Sequence, residues 1–352
     1  MTPSHSQHQL DTGETLEVRI RTPPIEIDRE GIHYGWPNRE ALLDGELRSH
    51  SLDRFVIGEI DGERAGSMVL HVPADTKDVG IVGFVHTVEQ HRRKGIGTLL
   101  LQTLIDLFRK DGGRALYLCT TNPAAHNLYR NCEFRPHVGD GMRWLAPGED
   151  DFDNTFFSDA HGNASIREAH WGDLARCAAL MNRPGHPGLI KHYQQNVYRD
   201  MRFEQHFVHL KQRTEDDKGS MFVLVAEGER VVGLCTLMER DRYPEQHIAI
   251  LDVVVAPAYE HRGPDLLKYA IEDARKAGWW ERIVSPTAGD QSPRANRLEK
   301  AGFTKREVLP EHFWTETGYQ TLIWWTYALP TIDERRHPPA EYYGGRPSFL
   351  EE

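Results

Sequence analysis

Two stretches of the chain alternate apolar and polar residues around a tight polar pair. The first runs Arg54-Phe55-Val56-Ile57-Gly58-Glu59-Ile60-Asp61-Gly62-Glu63-Arg64-Ala65-Gly66; the second runs Phe222-Val223-Leu224-Val225-Ala226-Glu227-Gly228-Glu229-Arg230-Val231-Val232-Gly233. Asp61-Gly62 and Glu227-Gly228, flanked in this way, predict two β-hairpins. After each hairpin the same order of elements recurs. Val79 to Val88 and Ile248 to Val255 are apolar runs of strand length, and Thr98 to Phe108 and Leu266 to Lys276 place apolar residues at helical spacing. Ala115 to Thr120 predicts a strand, with Arg282 to Ser285 as a shorter counterpart. Helices are then expected over Pro123 to Asn131 and Pro293 to Lys300, closing on Glu133-Phe134 and Gly302-Phe303. The offset between copies stays near one domain length, which means two fused domains and not a solenoid.

The boundaries come from composition. Residues 1–13 are polar and are expected to be a disordered tail, and 14–147 form the first domain. The joint lies in Ala146-Pro147-Gly148-Glu149-Asp150-Asp151, whose Pro, Gly and acidic content, with the polar stretch that follows, makes 148–163 read as a linker. Residues 164–330 form the second domain, and the Pro- and charge-rich 331–352 an extended tail.

Composition narrows the class. At 352 residues, with 27% charged and 39% hydrophobic positions, the chain has the make-up of a soluble protein of two domains. No run approaches the apolar length that spans a bilayer. Met1 to Gly13 lacks the apolar core of a secretory signal. The 4 cysteines, Cys119, Cys132, Cys177 and Cys235, never form a CxxC pair, which argues against a zinc site and a disulfide framework. A cytoplasmic protein with free thiols and no bound metal is expected. A net charge of −11 disfavours general nucleic-acid binding. Nothing in the sequence fixes the oligomeric state.

The candidate chemistry lies between the first long strand and its helix. Arg92-Arg93-Lys94-Gly95-Ile96-Gly97-Thr98 is a basic, glycine-punctuated turn entering a helix. Such a turn leaves backbone N–H groups without partners at the positive end of the helix dipole, a suitable place for a pyrophosphate. A side chain at either glycine would hold phosphates away from the backbone. Read alone, the segment fits a solvated basic loop equally well.

The order hairpin, strand, basic Gly turn, helix, strand, Asn-x-x-Ala-x-x-x-Tyr helix resembles the GCN5-related N-acetyltransferase (GNAT) family. Arg92, Gly95 and Gly97 match its Arg/Gln-x-x-Gly-x-Gly/Ala motif; Asn122, Ala125 and Tyr129 match its second signature, with Phe134 in the usual aromatic place. Glu133 departs from the Gly common before that Phe, which suggests a changed turn. The resemblance implies an α/β (α+β) fold of two tandem GNAT domains, each a mixed, splayed central sheet flanked by helices. It implies acetyl-CoA, or another acyl-CoA, as cofactor. The pantetheine arm would run beside the central strand at Val85 to Val88, near Asn122, with a backbone N–H near Thr87 or Val88 polarising the thioester carbonyl. Tyr129 would stabilise or protonate the departing thiolate. Mycothiol synthase is a tandem member in which one domain is inert.

The second copy departs from that pattern. Aligned on the turn, Glu260 falls where the Arg belongs, Pro264 lies inside the turn and Asp265 replaces the second Gly, with two residues missing before Leu266-Leu267. Counted back from Phe303, Leu298 takes the tyrosine's place and Gln291 the asparagine's. The second domain is therefore expected to have lost CoA binding.

Direct attack on a thioester needs a neutral amine, and His86 is the leading base, with Glu89 and His91 also beside the central strand. Asp252, Glu239 and Asp241 could face a cationic acceptor or be solvated surface charge. Trp279-Trp280 and Trp324-Trp325 read as packing before ligand stacking. The expected activity is acetyl transfer from acetyl-CoA to an amine of a small molecule by the first domain. A protein or peptide amine as acceptor, and a non-catalytic acyl-CoA sensor, are the alternatives.

Overall fold

Each predicted hairpin forms two adjacent antiparallel strands of a mixed β-sheet. The computed structural model describes residues 5–25, 39–158, 163–183, 203–240, 245, 247–289, 292–315 and 318–330. The first sheet contains β1 (His5–Gln9), β2 (Thr15–Arg21), β3 (Ser51–Ile60), β4 (Glu63–Pro73), β5 (Val79–Thr87), β6 (Ala115–Cys119), β7 (Arg135–Pro136) and β8 (Gly141–Leu145), in the order β1-β2-β3-β4-β5-β6-β8-β7. The second contains β9 (Ala164–Glu168), β10 (Gly219–Ala226), β11 (Arg230–Glu239), β12 (Ile248–Val255), β13 (Arg282–Ala288), β14 (Thr304–Thr315) and β15 (Gly318–Ala328), in the order β14-β15-β13-β12-β11-β10-β9. Apart from β1, the two orders are the same. In each sheet the central pair, β5–β6 or β12–β13, is parallel, and its neighbours are antiparallel.

The described helices are α1 (Arg39–Asp44), α2 (Ile96–Lys110), α3 (Pro123–Asn131), α4 (Phe152–Phe156), α5 (Leu174–Met181), α6 (Glu204–Glu215), α7 (Gly263–Ala277) and α8 (Ser292–Lys300). On α2 the spacing of Ile96, Leu100, Leu101, Leu104, Ile105 and Phe108 makes one apolar face, which is buried against β3, β4 and β5. Each such side chain contributes about 1.5–3 kcal/mol on burial. Leu266, Leu267, Ala270, Ile271 and Ala274 bury α7 against β10, β11 and β12 in the same way.

Three sequence expectations need correction. The tail expected over 1–13 is ordered from His5: β1 pairs with β2 from His5↔Arg19 to Gln9↔Thr15, satisfying backbone groups that a free tail would leave to water. The linker expected over 148–163 contains α4, whose Phe152 and Phe156 are fully buried and stack at 4.8 Å. Ion pairs Arg114–Glu149 (2.7 Å) and Arg143–Asp153 (2.8 Å) tie this segment to the first sheet. The strand expected over Arg282 to Ser285 runs on to Ala288. The tail at 331–352 lies outside the described residues.

The two sheets share a core. Every residue of α5 is buried, and the helix packs on β4, β5 and β6 of the first sheet as well as on β11 and α6. Its Arg176 is fully buried, bonds to Asp75 and Thr76 Oγ1 (3.1 Å) in the β4–β5 turn, and lies 3.4 Å from Asp173. One cluster of apolar residues therefore runs from Phe55, Val69, Ile81 and Tyr117 to Cys177, Val223 and Leu251. A second cluster, under α2 and α3, belongs to the first sheet alone.

Candidate active site

The parallel strands of the first sheet separate almost as soon as they meet. β5 pairs with β6 only at Val79↔Ala115, Gly80↔Leu116 and Ile81↔Tyr117, although β5 continues to Thr87. On its other side, Ser67↔His86 and Val69↔Gly83 leave two residues of β5 opposite Met68, a β-bulge at which Phe84 takes φ +50°. The bulge resets the alternation of side chains. Val82 and Val85 pack toward α2, whereas Ile81 and Phe84 pack on the opposite, α5-facing side. His86, opposite Ser67, is thereby in phase with Ser67, Val69 and His71 on the α5-facing side. Without the bulge it would point toward α2.

The basic turn comes next along the chain. Arg93 (φ +64°) and Gly95 (φ +79°) are left-handed, and α2 begins at Ile96. Among the described residues no backbone N–H from Arg93 to Thr98 donates to a backbone carbonyl; the first such bond is Leu99 N–H to the Gly95 carbonyl (3.1 Å). These N–H groups at the positive end of α2 fit a pyrophosphate. The two glycines serve different ends. A Cβ on Gly95 would meet nothing within 4 Å, so its conformation is what requires glycine. A Cβ on Gly97 would lie 2.6 Å from Leu128 Cδ1, so that glycine lets α3 pack on α2. Arg92 and Lys94 are both engaged: Arg92 Nε donates to the Thr87 carbonyl (3.2 Å), and Lys94 Nζ pairs with Glu14 (2.7 Å). The Thr87 hydroxyl lies over Gly97, 3.7 Å from that Cβ position.

Asn122 and Tyr129 lie on α3. Asn122 is its N-cap, with Oδ1 accepting from Ala124 N–H (3.0 Å), a structural task beyond the one the resemblance implies. Tyr129 is 4% exposed and tilts against Phe134 at 6.0 Å. Burial, with a smaller contribution from Cys119, pushes its phenol up to about 12. Glu133 has φ +68°, like its counterpart Gly302 at +92°, and the Phe134 N–H bonds to the Tyr129 carbonyl as Phe303 does to Leu298. The expected change of turn is absent; Glu133 simply adopts the left-handed conformation.

The α5-facing side of the sheet also contains a pair that the sequence did not disclose. His71 Nδ1 lies 2.6 Å from Asp53 Oδ1, and Ser51 Oγ donates to the same oxygen (2.9 Å). Both partners of the pair are buried. The other ring nitrogen, Nε2, faces Gly83, 3.3 Å from where a Cβ would sit. Gly83 and Phe84, whose ring meets His71 edge-on at 5.9 Å, form the start of the bulge. Eighteen residues separate Asp53 from His71 in sequence, and only the β3–β4 register Asp53↔His71 joins them. Glu89 is exposed beyond the strand, and His91 Nδ1 lies 3.4 Å from Lys94 Nζ.

The second copy of the turn is shorter. Gly263 meets Arg297 as Gly97 meets Leu128, and Gly233 meets Leu266 as Gly66 meets Leu100. Gly263, and not Asp265, thus stands at the second Gly, and the two missing residues come from the turn itself. A 3-10 segment, Pro257–Arg262, runs straight into α7 with no left-handed residue. Asp252 is buried and paired with Arg294, so it faces no acceptor. Trp280 and Trp325 are buried, and Trp325 Nε1 donates to Thr287 Oγ1 (2.9 Å); Trp279 is exposed. Asp241 and Gln291 lie outside the described residues.

Among the described residues no helix is long and apolar enough to cross a membrane. A sequence model of the acetyltransferase (GNAT) family matches residues 19–134 and again 189–303. A protein named probable N-acetyltransferase camello, from Xenopus tropicalis, is 35% identical over 102 residues, 28% of this chain and 46% of that one; the chain thus spans less than half of this relative. Similar folds include a GNAT-family acetyltransferase from Streptococcus pneumoniae (19% identity, TM-score 0.41, 48% of this chain and 100% of that one). The structure of yncA from Salmonella typhimurium with its cofactor acetyl-CoA is another (17% identity, TM-score 0.42, 49% of this chain and 98% of that one). With both halves matched by one family model, the chain belongs to the GNAT family of acetyltransferases, whose acyl donor is acetyl-CoA.

Proposed function

We propose that the chain transfers an acetyl group from acetyl-CoA to an amine of a small molecule, and that its first domain does so. The observation that supports a small acceptor most is the placement of α5. This helix of the second half lies over β4, β5 and β6, on the sheet side that carries His71 and Phe84, and closes what would otherwise be an open face. A sheet face covered by a helix in this way leaves less room for a protein chain than for a small polar amine.

Residues 93–98 would hold the pyrophosphate with backbone N–H groups, and the edge of β5 beyond Ile81 would hold the pantetheine arm in place of β6. Bound acetyl-CoA supplies a thioester activated toward amines. An alkyl amine of pKa about 10.4 is mostly protonated at pH 7, a deficit of about 4.6 kcal/mol that a base must offset. His86 and the Asp53–His71 pair lie on one side of the sheet beside the bulge, and in this reading one of them would take that proton. Tyr129 keeps its own proton at neutral pH. A phenol near 12 donating outright to a thiolate near 8.5 would be uphill by about 5 kcal/mol, so Tyr129 stabilises the departing anion by hydrogen bonding.

A panel of amines, amino acids, aminoglycosides and hydrazines, followed by CoA release, tests the reading. Turnover with one or more small amines is expected. Acetylation restricted to protein or peptide amines would overturn the assignment of the acceptor.

A further inference from the structure

In the second sheet a side chain fills the gap where the parallel strands part. β12 and β13 pair only at Ile248↔Arg282, Ala249↔Ile283 and Ile250↔Val284. One residue on, Ser285 Oγ donates to the Leu251 carbonyl (2.9 Å). Beyond that point the Arg294 guanidinium, from α8, bridges the strands. Nη1 bonds to the Asp252 carboxylate and lies 3.5 Å from the Val253 carbonyl, both on β12, while Nη2 donates to Ser285 Oγ (3.0 Å) on β13. Arg294, Asp252 and Ser285 are all buried.

The neighbouring turn differs by an ion pair. Arg297 Cδ packs on Gly263 as Leu128 packs on Gly97, but Arg297 goes on to pair through Nη1 with Glu260 of the turn. Counted back from Phe303 and Phe134, Arg294 and Arg297 correspond to Ala125 and Leu128, so the first domain has no charge at either place. β12 also lacks the bulge: its register with β11 is unbroken from Glu239↔Ala249 to Gly233↔Val255.

We propose that the second domain carries its own replacement for the cofactor and takes up no acyl-CoA. Arg294 occupies the gap that the pantetheine arm would use, and the Arg297–Glu260 pair occupies the place of the pyrophosphate. The assignment of these places rests on the cofactor site proposed for the first domain. Arginine suits the task because its planar fork of five donors can satisfy two diverging strands at once. The Arg294–Asp252 pair must be kept or lost together, since one buried charge without the other is costly whereas an apolar pair is tolerated.

Thermal unfolding of the full chain and titration with acetyl-CoA test this. Arg294→Met should lower the midpoint by about 5–15 °C, and Arg294→Met/Asp252→Leu should recover most of that loss. If Arg294→Met does not fold, Arg294→Lys, which keeps the charge but loses the fork, should show a smaller drop. An unchanged midpoint in Arg294→Met, a double variant no better than the single one, or two acetyl-CoA molecules per wild-type chain would each overturn the proposal. A wild type that binds none would remove the first-domain reading, and the stability comparison would still decide here.

Discussion

Gly97 and Leu128 are packed so closely that a Cβ on the glycine would lie 2.6 Å from Leu128 Cδ1. The second glycine of the turn is therefore first a contact between α2 and α3. Gly97→Ala should cost about 1–3 kcal/mol in stability through overpacking. Gly95→Ala, in open space but left-handed, should cost about 1 kcal/mol. Urea unfolding of the two variants measures the difference; a Gly97→Ala protein as stable as the wild type would contradict the packing role.

Glu133 holds the left-handed conformation that Gly302 holds in the second copy. Glu133→Gly removes that strain, while adding about 0.4–1 kcal/mol of unfolded-state entropy. A net gain of about 0.5–1 kcal/mol is expected from calorimetry. A destabilised variant would mean that Glu133 makes a contact worth more than the strain.

Arg176 is fully buried between Asp173 in the second half and Asp75 in the first. Arg176→Met removes the bonds to Asp75 and Thr76 while Asp173 keeps its bidentate pair with Arg167, and should cost about 1–3 kcal/mol. Because α5 is shared by both sheets, fluorescence of tryptophans in either half should report the same lowered midpoint. Loss confined to the second half would show that the shared core does not couple the two.

Tyr129 is pushed up to about 12, so the folded chain retains a proton that the unfolded chain begins to lose near pH 10. Its contribution to stability is complete below pH 10 and is lost as pH rises toward 12. Tyr129→Phe should lower turnover at least tenfold, leave acetyl-CoA affinity nearly intact and remove that alkaline loss of stability. Equal losses of turnover and affinity would make Tyr129 a packing residue only.

The basic turn and the Asn122–Tyr129 helix were legible because their information is local: backbone groups at a helix start, a cap, a glycine at positive φ. The bulge was not, since Gly83-Phe84-Val85 reads as ordinary strand and only pairing with β4 reveals the extra residue. For the same reason His86 was a candidate whose side of the sheet was unknown, and Asp53–His71 was invisible. The alignment of the second turn failed by two residues because a linear match cannot place a deletion inside a turn. Contacts of Gly263 and Gly233 place it. His5–Gln9 looked like a tail because an edge strand of polar residues has no apolar run to mark it.

The most direct measurement is calorimetric titration of acetyl-CoA into the wild type and Arg92→Glu. Arg92 heads the turn and donates to the Thr87 carbonyl at the end of β5, so a carboxylate there opposes an anion and frees the strand end. The account predicts one site per chain, weakened at least tenfold in the variant. Equal affinity in the two proteins would contradict the placement of the cofactor in the first domain.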